Sequence, residues 1–189
     1  MSKEEVPVVQ LVGPGGAGKT TVGLALASQL DWAFVDLDRE FMVREGDIAG
    51  CMAAHGYAGY ARRNLAVHAE VRGAFTVPTV YALSSGFMTY LADMDTHYTR
   101  IRGEVAQGAL TVLLLPSFEL EPCVEAIVKR QLSRPYLPGN MASEEARIRQ
   151  RFPLFMALQC ARFLNDGTPE NAALQIAGFV REHLEETTR

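Results

Sequence analysis

Gly13-Pro14-Gly15-Gly16-Ala17-Gly18-Lys19-Thr20 stands between the apolar run Val8–Val12 and a helical pattern that ends near Leu30. It fits G-x-x-x-x-G-K-[ST], the pattern of a loop that grips the phosphates of a nucleoside triphosphate. Each residue type has a physical reason to be there. Glycines let the backbone turn with no Cβ in the way, so successive N–H groups can converge on phosphate oxygens. The helix that opens at the loop's end adds the positive end of its dipole. Lys19 is a long, mobile point charge that can follow the β- and γ-phosphates, and the Thr20 hydroxyl can ligate Mg²⁺. Val22, Leu24, Ala25, Leu26 and Leu30 give the apolar helical face expected downstream. Gly13, Gly15, Gly16, Ala17, Gly18, Lys19, Thr20 and Thr21 are the expected nucleotide contacts.

Beyond this loop, strand-like runs at Val8–Val12, Ala33–Val35, Thr79–Leu83, Leu110–Leu115 and, more weakly, Arg162–Leu164 alternate with helical patterns. That alternation predicts an α/β fold, a parallel sheet with helices on both faces. Ligands in such sheets sit beyond the carboxyl ends of the strands. After the second run come Asp36 and Asp38, two apart, so both reach the mouth of the sheet. One can hold Mg²⁺ through water while the other accepts a hydrogen bond from a substrate hydroxyl. The other reading has Asp36 ending the strand and Asp38 capping the next helix. After the third run, Ser84-Ser85-Gly86 is either a close-approach loop for an anionic ligand or a plain turn.

The helical stretch Tyr57–Val71 carries Tyr57, Tyr60, Arg62, Arg63 and Asn64; of two adjacent arginines, at most one can face a site. Arg130 to Met141, with two prolines and a glycine, reads as a flap whose Arg134 can close over phosphates and shield them from water. Ser143 then opens a helix that carries Arg149, Arg151 and Pro153, the proline implying a kink or an end. Asn165–Pro169 is a turn before a final amphipathic helix through Leu184. The histidines at 55, 68, 97 and 183 share no ligand spacing.

The whole chain bounds these readings. Its 189 residues suffice for one α/β domain with a real core and would cramp two. With 48% apolar and 21% charged residues, the balance is that of a globular protein. A net charge of −4 argues against a broad nucleic-acid footprint, so any anion site must be built from local arginines. Cys51, Cys123 and Cys160 match no metal spacing and read as free thiols in a reducing compartment. Met1–Pro7 is short and charged, and no apolar run reaches about 18 residues, so a cytoplasmic protein without membrane contact is expected.

Taken together, the loop, the Asp36-x-Asp38 pair, the Arg134-Pro-Tyr-Leu segment and Arg151-Phe-Pro-Leu-Phe155 resemble the shikimate kinase family in order and near-family spacing, from the first strand to Asn165. The resemblance implies a three-layer phosphate-loop kinase fold with a five-stranded parallel sheet, a substrate-binding helical region at about 37–73 and a lid at about 133–145, within one domain spanning 1–189. It implies ATP and Mg²⁺ as cofactors and transfer of the γ-phosphoryl group to a hydroxyl of shikimate or a similar small hydroxylated carboxylic acid. By the same likeness Thr20 and Asp36 serve the metal, Asp38 orients the attacking hydroxyl, and Lys19 and Arg134 attend the phosphates. Arg130 lies near adenine, and Ser85, Gly86 and Arg151 contact the acceptor, Arg151 through its carboxylate. A monomer with no nucleic-acid partner is expected.

Two departures stand out. Ser84-Ser85-Gly86 replaces three glycines, and Ala61 and Asn64 stand where the family has an arginine and a glutamate. Losing a charge-assisted contact costs on the order of 2 kcal/mol, and Arg62 is the expected replacement. Two other readings remain open: a kinase of this fold acting on a different alcohol, and a nucleotide-binding protein without catalysis.

Overall fold

Strand β1 (Val8–Val12) sends Val9 and Leu11 to one face of a sheet and Val8 and Val12 to the other, every one of them buried. Strand β4 (Thr111–Leu115) repeats this parity with Val112 and Leu114 against Leu113 and Leu115. A strand apolar on both faces can only be an interior one, covered by helices on each side. The structure is a computed structural model and describes residues 6–132 and 141–187. Its five strands are all parallel, in the order β2-β3-β1-β4-β5, with β2 at Ala33–Asp36, β3 at Thr79–Ala82 and β5 at Ala161–Leu164.

Helices α1 (Lys19–Leu30) and α7 (Pro169–Thr187) cover the Val9–Leu11 face. On the other face lie α2 (Leu37–Glu45), α3 (Ile48–Gly73), α4 (Tyr98–Gln107), α5 (Leu120–Leu132) and α6 (Met141–Met156). With β1 central, its crossovers leave toward opposite edges, and the crevice at its carboxyl end is where a ligand fits.

The expected runs fall on the observed strands, with ends shifted by a residue. The helix expected over Tyr57–Val71 is the second part of α3. It starts where expected, because Gly56 (φ 69°, ψ 174°) is non-helical and separates it from a preceding helical segment capped by the Asp47 carboxylate, which accepts from the Gly50 N–H at 2.7 Å. Helix α6 opens at Met141, ahead of Ser143, and ends three residues past Pro153. Of the lid expected at about 133–145, residues 133–140 lie outside the described residues, and Met141 onward forms the first turn of α6.

One buried histidine stitches the second core together. His68 on α3 shares a hydrogen bond with the Tyr81 hydroxyl (Nδ1 to Oη, 3.3 Å) and stacks on that ring, while Phe87 packs against it at a tilt, ring centroids 4.6 Å apart. The thiols of Cys51, Cys123 and Cys160 are free. Among the described residues no helix is long and apolar enough to cross a membrane.

Candidate active site

Gly18 caps α1 in the left-handed region (φ 97°), with the Asn165 amide packed where a Cβ would stand. Only glycine meets both conditions without strain. Gly18 has no side chain with which to cap α1 and no acid lies in the helix's first turn, so its leading N–H groups keep their capacity for an anion. Lys19 Nζ donates to the carbonyls of Gly13 (2.7 Å) and Pro14 (3.1 Å), which holds the ammonium over the loop. Ala17 is buried in the loop's floor, and Thr20 and Thr21 stand exposed on the first turn of α1.

The two aspartates turn toward this loop. Asp36 does two things at once: Oδ1 accepts from the N–H groups of Asp38 (3.0 Å) and Arg39 (3.4 Å), capping α2, while Oδ2 accepts from Thr20 Oγ1 at 2.7 Å. The helix cap is therefore Asp36, where the sequence had suggested Asp38, because the helix begins one residue after the strand ends. Asp38 is free to point inward. Burial pushes its carboxyl above the usual carboxylate range; the Ser84 hydroxyl and the Lys19 charge pull it back, while Asp36 adds to the rise.

Ser84, Ser85 and Gly86 each face a different neighbour. Ser84 Oγ donates to Asp38 Oδ1 at 2.5 Å and accepts from Asn64 Nδ2 at 3.0 Å; Asn64 Oδ1 accepts from the Tyr90 hydroxyl at 3.0 Å. Ser85 sits beside the phosphate loop, its Cβ 3.7 Å from where a Cβ on Gly15 would stand. Gly86 lies under the Tyr57 hydroxyl. Tyr57, Tyr60 and Tyr90 pack as a cluster with ring centroids 5.7 to 6.5 Å apart, and burial raises the Tyr60 phenol far above its ordinary range, the nearby Asp38 charge adding to it.

Arg151 reaches the same place from α6, donating to Tyr57 Oη at 2.8 Å with its guanidinium 5.8 Å from the Tyr57 ring centroid. Arg62 does not join this group: it donates to the Met94 carbonyl at 3.4 Å, while Arg63 lies on the solvated side with His55 and Glu45. Ala61 is buried in the core. Arg130 donates to the carbonyls of Gly16 (3.3 Å) and Asn165 (2.7 Å), bracing the loop from below, and Arg134 lies outside the described residues.

Asn165 and Gln131 were not singled out from sequence. Asn165 Nδ2 donates to the Ala17 carbonyl at 2.9 Å, and Gln131 packs against Gly15 and Gly16. Their amide oxygens, Asn165 Oδ1 and Gln131 Oε1, are buried with no hydrogen-bond partner among the described residues. Asn165 directly follows the last strand, so the strand-end rule could have found it. Nothing local marks Tyr90, whose partners come from distant segments.

A family model described as "Shikimate kinase" matches residues 15–181. Shikimate kinase 2 of Escherichia fergusonii is 34% identical over 181 residues, covering 93% of this chain and 91% of that protein. Shikimate kinase 2 of Dickeya chrysanthemi is 32% identical over 167 residues, covering 87% and 89%. The shikimate kinase from Acinetobacter baumannii, solved in complex with shikimate, superposes with a TM-score of 0.72 at 26% identity, covering 95% of this chain and 96% of that one. With a phosphate loop, a facing acid pair and matches that run nearly end to end, the chain belongs to the shikimate kinase family.

Proposed function

We propose that this protein transfers the γ-phosphoryl group of ATP to a hydroxyl of shikimate or a closely similar hydroxylated carboxylic acid. The carrying observation is the facing of the acid pair on the loop: Thr20 Oγ1 meets Asp36 Oδ2 at 2.7 Å, and the Lys19 charge acts on Asp38. ATP brings the transferable group, and Mg²⁺ neutralises its phosphate charge. The residues present fit both. The uncapped start of α1 suits phosphate oxygens, and the hard oxygens of Thr20 and Asp36 suit a cation held mainly by phosphates and water.

Catalysis is then positioning and charge neutralisation. Lys19 leaves the Gly13 and Pro14 carbonyls to follow the β- and γ-phosphates. Asp38 has one oxygen taken by Ser84, which leaves Oδ2 to orient the acceptor hydroxyl and receive its proton. Gly86 and Ser85 border the acceptor, Arg151 receives its carboxylate, and Arg134 covers the phosphates.

An ADP-release assay with shikimate and a panel of other hydroxy acids tests the reading. Lys19→Ala should abolish turnover, and Asp38→Asn should cripple it while nucleotide binding is retained. Tight ATP binding with no acceptor-dependent ADP release would sink the proposal.

A further inference from the structure

Arg151 is a half-buried cation whose recorded polar contact is a phenol: among the described residues no carboxylate pairs with it. Other arginines on this molecule do find acids, such as Arg149 with Glu121 and Glu145. The phenol is left in a matching state. Arg151 Nη2 donates to Tyr57 Oη, so the Tyr57 proton must point elsewhere, and no acceptor among the described residues takes it. Burial raises this phenol, with the Arg151 charge pulling back, so it carries its proton at neutral pH. Tyr57 is 41% exposed, within a ligand's reach, and its hydroxyl lies against Gly86, where a side chain would collide. Two donors of an anion's complement thus stand side by side at the mouth of the acceptor crevice. The position that would otherwise offer a second guanidinium, Ala61, is a buried methyl, and Arg62 is turned to the Met94 carbonyl.

We propose that the Tyr57 hydroxyl and the Arg151 guanidinium together bind the carboxylate of the acceptor, the phenol doing the work of a second arginine. Arg151 supplies charge and one arm of the fork; Tyr57 supplies a directed O–H and a ring whose centroid lies 5.8 Å from the guanidinium carbon. This rests on the acceptor reading given above.

Tyr57→Phe keeps the ring packing on Tyr60 and Tyr90 and removes only the hydroxyl. It should raise the shikimate KM on the order of 10- to 100-fold, with kcat, the ATP KM and the melting temperature unchanged. Shikimate methyl ester, which lacks the charge, should be a poor acceptor for the wild type, and Tyr57→Phe should lose part of that discrimination. Arg151→Lys keeps the charge and loses the fork, and should raise the acceptor KM likewise. An unchanged KM in Tyr57→Phe, or undiminished discrimination against the ester, overturns the proposal. If the wild type shows no shikimate-dependent ADP release, the acceptor reading falls by itself. The pair is then read by calorimetric titration of the same hydroxy-acid panel: weaker binding of the tightest acid in Tyr57→Phe supports it, and equal binding overturns it.

Discussion

Ser84 has one proton, and its neighbours decide where it goes. The Tyr90 hydroxyl donates to Asn64 Oδ1, which turns the Asn64 amide so that Nδ2 donates to Ser84 Oγ, and Ser84 is left to donate to Asp38. The chain is directional, buried from Tyr90 through Asn64 to Ser84 and half-buried at Asp38, with the Tyr60 hydroxyl set against Ser84 and Tyr90. Removing its third link leaves a buried amide without an acceptor and a carboxylate without its donor. Ser84→Ala should therefore lower stability by about 1–3 kcal/mol and lower kcat at least tenfold, with the ATP KM unchanged. Tyr90→Phe, two links away, should do less of both. Steady-state kinetics beside thermal melts check the ranking, and a Ser84→Ala enzyme with wild-type kcat would remove Ser84 from the account. The serine was visible in the sequence as a departure from three glycines. Its partners were not, because Asn64 and Tyr90 come from a helix and a loop whose meeting only the packed fold creates.

At the scale of elements, the start of α2 carries two duties on one residue. Asp36 caps the helix with one oxygen and faces Thr20 with the other. Asparagine caps as well as aspartate but brings no charge. Asp36→Asn should leave the melting temperature within about a degree or two and raise the Mg²⁺ concentration needed for turnover. Asp36→Ala should in addition lose about 1 kcal/mol of stability. Equal melting temperatures for the asparagine and alanine variants would show the cap to be idle. From sequence, capping and metal binding stood as competing readings of the same pair; two oxygens on one carboxylate make them compatible. The helix ends were less legible than the helices. A separate helical segment capped by Asp47 precedes the break at Gly56, and α6 runs past Pro153 because the ring gives up only its own N–H bond, while the Pro153 carbonyl still accepts from the Ala157 N–H at 3.0 Å.

For the molecule as a whole, the alternation of strand-like runs with helical patterns was enough to expect a covered parallel sheet, and the two apolar faces of β1 and β4 agree with it. Strand order was not legible in periodicity, because any order satisfies that pattern; β2-β3-β1-β4-β5 is set by which strands pair in the packed sheet. His68 is an example of a feature with no signal in sequence. Burial, helped by the Arg72 charge, depresses its imidazole to about 4. In the unfolded chain it protonates near 6.5. The unfolded state thus binds more protons between these values, and stability falls as pH drops from about 6.5 toward 4 and levels off below. The His68 share of that loss is on the order of 3 kcal/mol. His68→Gln should flatten that part of the stability-against-pH curve in urea melts, and an unchanged slope would place the titration elsewhere.

The brace that Arg130 throws across the base of the crevice has its own consequence. One guanidinium clasps the peptide oxygen of Gly16 on one side and that of Asn165 on the other. The end of α5 and the turn after the last strand are fastened to the same rung. Tugging on either strains both, so the floor under the nucleotide yields as one slab rather than plank by plank.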